Sequence, residues 1–160
     1  MRQTQNGNKG LSIIEILVVI TVMGIAFSSI LGLIIFSLKN TVQIKQTTIA
    51  NNLAQEAQEA IRIFRDGTAW GTDGLGTLPL EQSYKIKITG ATSSQWSLEL
   101  GEETIDIFTR KIFFSKVFRD GQDNIASSGT EDTNTRKVTV EILWVNKKVT
   151  LVNYLTNWHQ

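Results

Sequence analysis

The chain has 160 residues, 41% of them hydrophobic and 19% charged, with a formal net charge of +1. That length fits one domain plus an appendage, and the balanced charge excludes the clearly basic excess of a dedicated nucleic-acid binder. The absence of cysteine excludes disulfides and thiolate metal sites, so an exported domain must rely on packing alone.

The first ten residues, MRQTQNGNKG, are polar and carry Arg2 and Lys9. From Leu11 the composition turns apolar, and between Lys9 and Lys39 the one ionisable side chain is Glu15. The uncharged run 16–38 is about 23 residues, or roughly 35 Å as a helix, enough to cross a bilayer with some tilt. Cations ahead of the run place the N-terminus in the cytoplasm by the positive-inside rule. Three plainer readings compete. A secretory signal peptide would have a shorter apolar region of about 7–15 residues and a small-residue cleavage site, which Ala26-Phe27-Ser28 imitates. A simple single-span anchor explains the hydrophobicity but not Glu15, a carboxylate that costs a few kcal/mol to insert. A buried helix would need a larger core than one small domain supplies.

The spacing of Lys9-Gly10-Leu11-Ser12-Ile13-Ile14-Glu15 resembles the signal sequence of type IV prepilins and pseudopilins. In that family a short basic leader ends in glycine, with a glutamate at the fifth residue after it. Gly24 matches a glycine common in the family's anchor helix. Leu11 departs from the usual phenylalanine, and Gly32 stands where many major pilins carry proline. The resemblance implies that residues 1–10 are a leader and that a membrane-embedded prepilin peptidase cuts Gly10–Leu11 and methylates the new amine of Leu11. It also implies that 11–38 is a transmembrane and polymerisation helix. Glu15 would then pair with the terminal amine of a neighbouring subunit and set axial register, whereas its plainer role is to pair with its own terminus. A buried ammonium and carboxylate are each costly alone and far cheaper together. The partners so implied are other pilin or pseudopilin subunits, the peptidase, an inner-membrane assembly platform, and membrane lipid before assembly. The implied location is the bacterial cytoplasmic membrane with the head outside, and later an extracellular or periplasmic filament.

Helical periodicity continues past Lys39. Val42, Ile49, Leu53, Ala57, Ala60, Ile61 and Phe64 predict an amphipathic stripe over 39–66, with Asn51, Gln55, Gln58, Glu59 and Arg62 opposite. No proline interrupts 11–66, and Asp66-Gly67 offers a stop. Residues 67–82 read as a glycine-rich loop, which lacks the lysine and the strand–helix setting of a phosphate-binding loop. Strands follow. Tyr84, Ile86 and Ile88 alternate with polar residues, as do Trp96, Leu98 and Leu100. Residues 105–118 form an aromatic and β-branched stretch including Ile112, Phe114 and Phe118. Val138, Val140, Ile142 and Trp144 alternate cleanly, and a tight connection at 145–148 leads to Val149, Leu151 and Leu155 as a hairpin. The expected fold is therefore α+β. A long N-terminal membrane helix has a C-terminal half that packs on an antiparallel sheet of four or five strands over 83–158. Ala54–Arg62 with Arg65-Asp66, and Arg136–Val140, Trp144 and Tyr154–Trp158, are similar to the heads of minor pilins.

Other sites are weaker. His159, the single histidine, sits at the end of the chain, so no Ser-His-Asp set can form around it, and no enzyme is expected. Asp120, Asp123, Glu131 and Asp132 in the loop 120–134 are the calcium candidates, without EF-hand spacing. Arg110, Lys111, Lys116, Arg119, Arg136 and Lys137 read as a solvated sheet face, with a weak DNA contact as the alternative. The function expected is a structural filament subunit, a minor pilin or pseudopilin. The runner-up is a non-polymerising bitopic protein whose head binds a ligand such as DNA.

Overall fold

A computed structural model describes residues 12–89 and 95–158, so Gly10, Leu11 and His159 lie outside the described residues. The chain is α+β. One long helix, α1 (Ile13–Gly67), is followed by seven antiparallel strands. These are β1 (Ser83–Thr89), β2 (Gln95–Leu100), β3 (Glu103–Ile105), β4 (Phe108–Arg119), β5 (Ile125–Ala126), β6 (Thr130–Trp144) and β7 (Lys147–Thr156). Two compact units divide between Lys45 and Gln46.

In the first unit the helix forms because straight-chain and branched apolar residues run without a proline, and Ser12 supplies the first turn's acceptor. Its carbonyl takes the N–H groups of Glu15 at 3.0 Å and Ile16 at 3.2 Å. Thr21, Ser28, Ser29 and Thr41 donate their hydroxyls to the carbonyls four residues back, at 2.8–2.9 Å. These polar atoms are thus satisfied without water, as an apolar environment demands.

In the second unit, residues 46–67 of α1 cover one face of the sheet, which runs β2-β1-β4-β6-β7 with β3 and β5 attached to β4. Period-2 alternation on β4 and β6 points Phe108, Ile112, Phe114, Val138, Val140, Ile142 and Trp144 into the core, each buried. Registers Ile112↔Val140 and Phe114↔Val138 stack these side chains in rows across the sheet. Tyr84 meets Phe114 edge-on at 5.2 Å, and Trp144 meets Phe108 at 5.6 Å. Ile61, fully buried, contributes about 1.5–3 kcal/mol by leaving water.

The helix stripe matches the expected one at Ala57, Ala60 and Ile61 and differs at its N-terminal end. Its buried ridge is Ala50, Ala54, Ala57 and Ile61, spaced four, three and four, with Ala60 and Gln58 beside it. Methyl side chains let the helix backbone approach the sheet closely, so alanines take the centre while Leu53 and Phe64 pack partly buried at the flanks. Val42 is exposed and belongs to the first unit, and Ile49 lies on the exposed side. Gln58 is buried rather than solvent-facing, and its amide has no partner among the described residues. Such a group costs about 1–3 kcal/mol.

Four strand details also differ from expectation. The stretch 105–118 is two strands, because Asp106 adopts φ 54° and turns β3 back onto β4. A bulge between Lys116 and Phe118 shifts the register, so Val117 is buried in place of Phe118. Ile88 is exposed, since β1 pairs with β4 only at Ser83 and Tyr84 and its hairpin with β2 runs on beyond that pairing, and Leu100, opposite Tyr84, is exposed on the edge strand β2. The loop 120–134 is partly strand, holding β5 and the start of β6. Gly129, at φ 143°, closes it. A Cβ there would collide with the Arg119 carbonyl. In the glycine-rich loop, Gly76 lies against Trp70, whose carbonyl and ring would stand 2.5–2.6 Å from any added Cβ. The hairpin at 145–148 forms as expected, with Val145 and Asn146 both left-handed.

Candidate functional site

Every side chain from Ser12 to Lys45 is exposed within the chain. Among them are Ile13 at 79%, Phe36 at 70% and Leu33 at 68%. The most apolar 18-residue window of α1 reaches a mean hydropathy of 2.6, and none of it is buried. This one helix, near the N-terminus, is long and apolar enough to cross a membrane. Glu15 is its only carboxylate before Glu56 and sits in the first turn. The positive end of the helix dipole favours a carboxylate there by about 0.3–1 kcal/mol, far less than the cost of burying it unpaired. Gly24 and Gly32 lie within the helix, which continues through both. The proposed scission at Gly10–Leu11 falls outside the described residues.

The head's charged residues are arranged differently from an open basic face. Arg110 is buried at 2% exposure and points toward α1. It donates to Glu103 at 2.6 and 3.0 Å and to the Leu53 carbonyl at 3.2 Å, with Glu56 at 3.5 Å. Arg136 is also buried, donating to the Gly76 and Thr135 carbonyls at 3.3 Å. Neither can take part in a solvated face or a DNA contact, a correction to the sequence reading. Their inward direction follows from register, since Arg110 and Arg136 occupy the same alternate positions as Ile112 and Val138. Lys111 pairs with Glu102, Lys116 with Glu131, and Arg119 with Asp132. No local pattern marks the Arg110 clamp, because its partners are seven and more than fifty residues away.

The calcium candidates are engaged with protein groups. Asp120 accepts the backbone N–H groups of Gln122 and Asn124 at 2.9 Å, tying its own turn. Asp132 accepts Arg119 Nε and the Thr135 hydroxyl, both at 2.7 Å. Asp123 stands 3.6 Å from Arg119 Nε, and its carbonyl takes Arg119 Nη1 at 2.8 Å. The Arg119 guanidinium thus supplies the positive charge that Asp123 and Asp132 share. Among the described residues no three His, Cys, Asp or Glu side chains are placed to hold one ion.

These bonds set an acid limit. The Asn124 and Gln122 N–H groups hold Asp120 below the ordinary carboxylate range, the Arg119 bond and then Thr135 do so for Asp132, and Lys87 does so for Glu99. A depressed folded-state pKa means stability that is complete above the unfolded-state value and lost as pH falls through the folded one. Melting temperature should therefore hold from neutral pH to the ordinary carboxylate range and fall below it. Asp132→Asn should melt lower than wild type at neutral pH, with the gap closing in acid. A gap of constant size from neutral to strongly acid pH would show that the Asp132 charge is irrelevant.

No family model matches the chain, and no curated protein or solved structure does either.

Proposed function

We propose that this chain is a polymerising subunit of the type IV pilin class, a minor pilin or pseudopilin matured by a prepilin peptidase. The observation that carries the proposal is the helix 13–38, apolar and exposed on all sides, with a lone carboxylate in its first turn. A surface of that kind must be covered, first by lipid and after extraction by the helices of neighbouring subunits. A plain anchor needs no carboxylate. A polymer made from a processed amine does, because the ammonium on Leu11 requires a partner once lipid is gone. Arg2 and Lys9 keep the leader on the cytoplasmic side until cleavage removes both cations. In this reading the head is a structural element, and its ordered strands and internally paired charges suit that role.

Mass determination of the N-terminus of protein purified from cells tests the proposal. The expected start is Leu11 carrying one extra methyl group. Gly10→Leu should accumulate as the uncut precursor, because a bulky residue at the scissile bond does not fit a peptidase selecting glycine. An intact Met1 in the wild type, or normal maturation of Gly10→Leu, would overturn the assignment.

A further inference from the structure

We infer that the free edge of β7, with the groove between it and α1, is a docking site for an extended segment of a partner polypeptide. The inference lies within the second unit and does not depend on what covers the apolar helix. β7 ends the strand order, and its register with β6 runs unbroken from Trp144↔Lys147 to Thr135↔Thr156. Which backbone groups it leaves open follows from one bond. The Asn157 N–H donates to the Asn134 carbonyl at 2.8 Å, on the β6 side. Backbone groups alternate in direction along a strand, so Lys148, Thr150, Val152, Tyr154 and Thr156 turn theirs outward. Tyr154 agrees, since its N–H donates to the Asn153 side chain at 2.8 Å and to no strand. No other strand among the described residues pairs with that side. Edges are usually blunted by a charge, a proline or a bulge. The opposite edge follows that rule, because Glu99 of β2 is held there by Lys87 and Lys85. β7 does not. Its residues 149–156 hold no charge and no proline. A row of open N–H and C=O groups is complemented along its length only by another extended backbone, which fixes the class of occupant.

A second, independent observation points to the same place. A groove of about 390 Å³ between α1 and β7 is lined by Gln55, Gln58, Glu59, Leu151, Val152 and Asn153. Gln58 is 8% exposed, and neither the nitrogen nor the oxygen of its amide has a partner among the described residues. A buried amide left open in the chain alone is accounted for by a partner that brings a donor and an acceptor. Side chains of a strand added beyond β7 would alternate between the two faces of the sheet. Those on the α1 face come over the groove, where Asn, Gln, Ser or Thr would serve the Gln58 amide. Those on the other face lie beside Val152 and Tyr154, 45% and 40% exposed, and apolar or aromatic residues would cover both. The occupant is thus an uncharged segment, polar toward α1 and apolar on its other side. A whole second copy fits less well. Two β7 edges paired about Val152 would bring the Glu59 carboxylates of both grooves toward each other.

The probe is a fluorescent peptide with the sequence of residues 147–156, KKVTLVNYLT, added to the full chain in mild detergent. Paired antiparallel about Val152, its central valine meets Val152, its tyrosine meets Thr150, and its asparagine lies across from Leu151 on the groove side. A second peptide of the same sequence carries N-methyl groups at the places of Thr150, Val152 and Tyr154, whose N–H groups would face β7. Anisotropy should show saturable binding of the plain peptide and binding about tenfold weaker for the N-methylated one. Val152→Pro removes an outward N–H at an edge position that tolerates proline. It should melt near wild type and bind the plain peptide about tenfold more weakly. Gln58→Met should melt no lower than wild type, because the open amide is gone, yet bind several-fold more weakly. Absence of saturable binding overturns the inference, since main-chain bonds that any such segment makes supply the affinity. Equal binding of the plain and N-methylated peptides overturns strand addition without touching the protein's own fold. Undiminished binding to Gln58→Met overturns the part given to the groove. A dimer of the full chain that forms without peptide and is abolished by Val152→Pro assigns the edge to a second copy and overturns the partner segment.

Discussion

Glu15→Gln protein is expected to insert and mature normally yet to be nearly absent from sheared filaments. Insertion should improve, because removing a charge from the apolar segment lowers its transfer cost. Processing should be unchanged, since the Gly10–Leu11 bond is untouched. Assembly should fail for an electrostatic reason. The amine on Leu11 of one subunit would face an amide instead of a carboxylate, in surroundings made of apolar helices. Removing one partner of a buried pair costs about 3–5 kcal/mol, which lowers incorporation by two to three orders of magnitude. The helix dipole cannot account for a loss of that size, since its contribution at Glu15 is about 0.3–1 kcal/mol. Processed mutant protein should be followed in the membrane and in the filament fraction together. Normal recovery in filaments would leave Glu15 pairing with its own terminus. Absence of the wild-type protein from any filament would favour the bitopic binding head.

The readable parts of the sequence were those where one physical requirement dominates. Val138, Val140, Ile142 and Trp144 sit on a strand with a single buried face, so alternation alone identified them. The helix long and apolar enough to cross a membrane was equally plain, because no charge interrupts residues 16–38. The helix ridge was read correctly at Ala57, Ala60 and Ile61 and misjudged toward its N-terminal end for a definite reason. Hydropathy favours Val42 and Ile49, whereas close packing against a sheet favours the smaller Ala50 and Ala54. A bulge moved burial from Phe118 to Val117, and no local signal marks where such a register shift falls. The buried arginines were the largest departure. On a strand, Arg110 and Arg136 look like surface cations, and only the tertiary placement of Glu103, Glu56 and backbone carbonyls makes their burial affordable. As for the candidate sites, the isolation of Glu15 in an uncharged run is visible in the sequence, while nothing local shows that Asp123 and Asp132 are taken up by Arg119 and Asp120 by its own turn.

The Arg110 clamp should show a large and asymmetric stability effect in the head. The Arg110 side chain is 3% exposed, whereas those of Glu103 and Glu56 are 30% and 50% exposed. Removing the arginine releases two carboxylates that water can reach, and methionine fills much of the vacated volume. Arg110→Met should therefore cost less than about 1 kcal/mol, in keeping with the small net worth of many buried ion pairs. Glu103→Ala does the opposite. It leaves a buried guanidinium with only the Leu53 carbonyl at 3.2 Å and Glu56 at 3.5 Å. A cation so stranded should cost about 3 kcal/mol, or ~10 °C in melting temperature for a unit of this size. Trp70, Trp96, Trp144 and Trp158 all belong to the second unit, so tryptophan emission of the full chain in mild detergent follows that unit alone. The double variant should melt near Arg110→Met and not near Glu103→Ala, because the stranded charge is gone. If Arg110→Met proves as unstable as Glu103→Ala, the guanidinium itself holds α1 against the sheet, and its solvation is not the deciding cost.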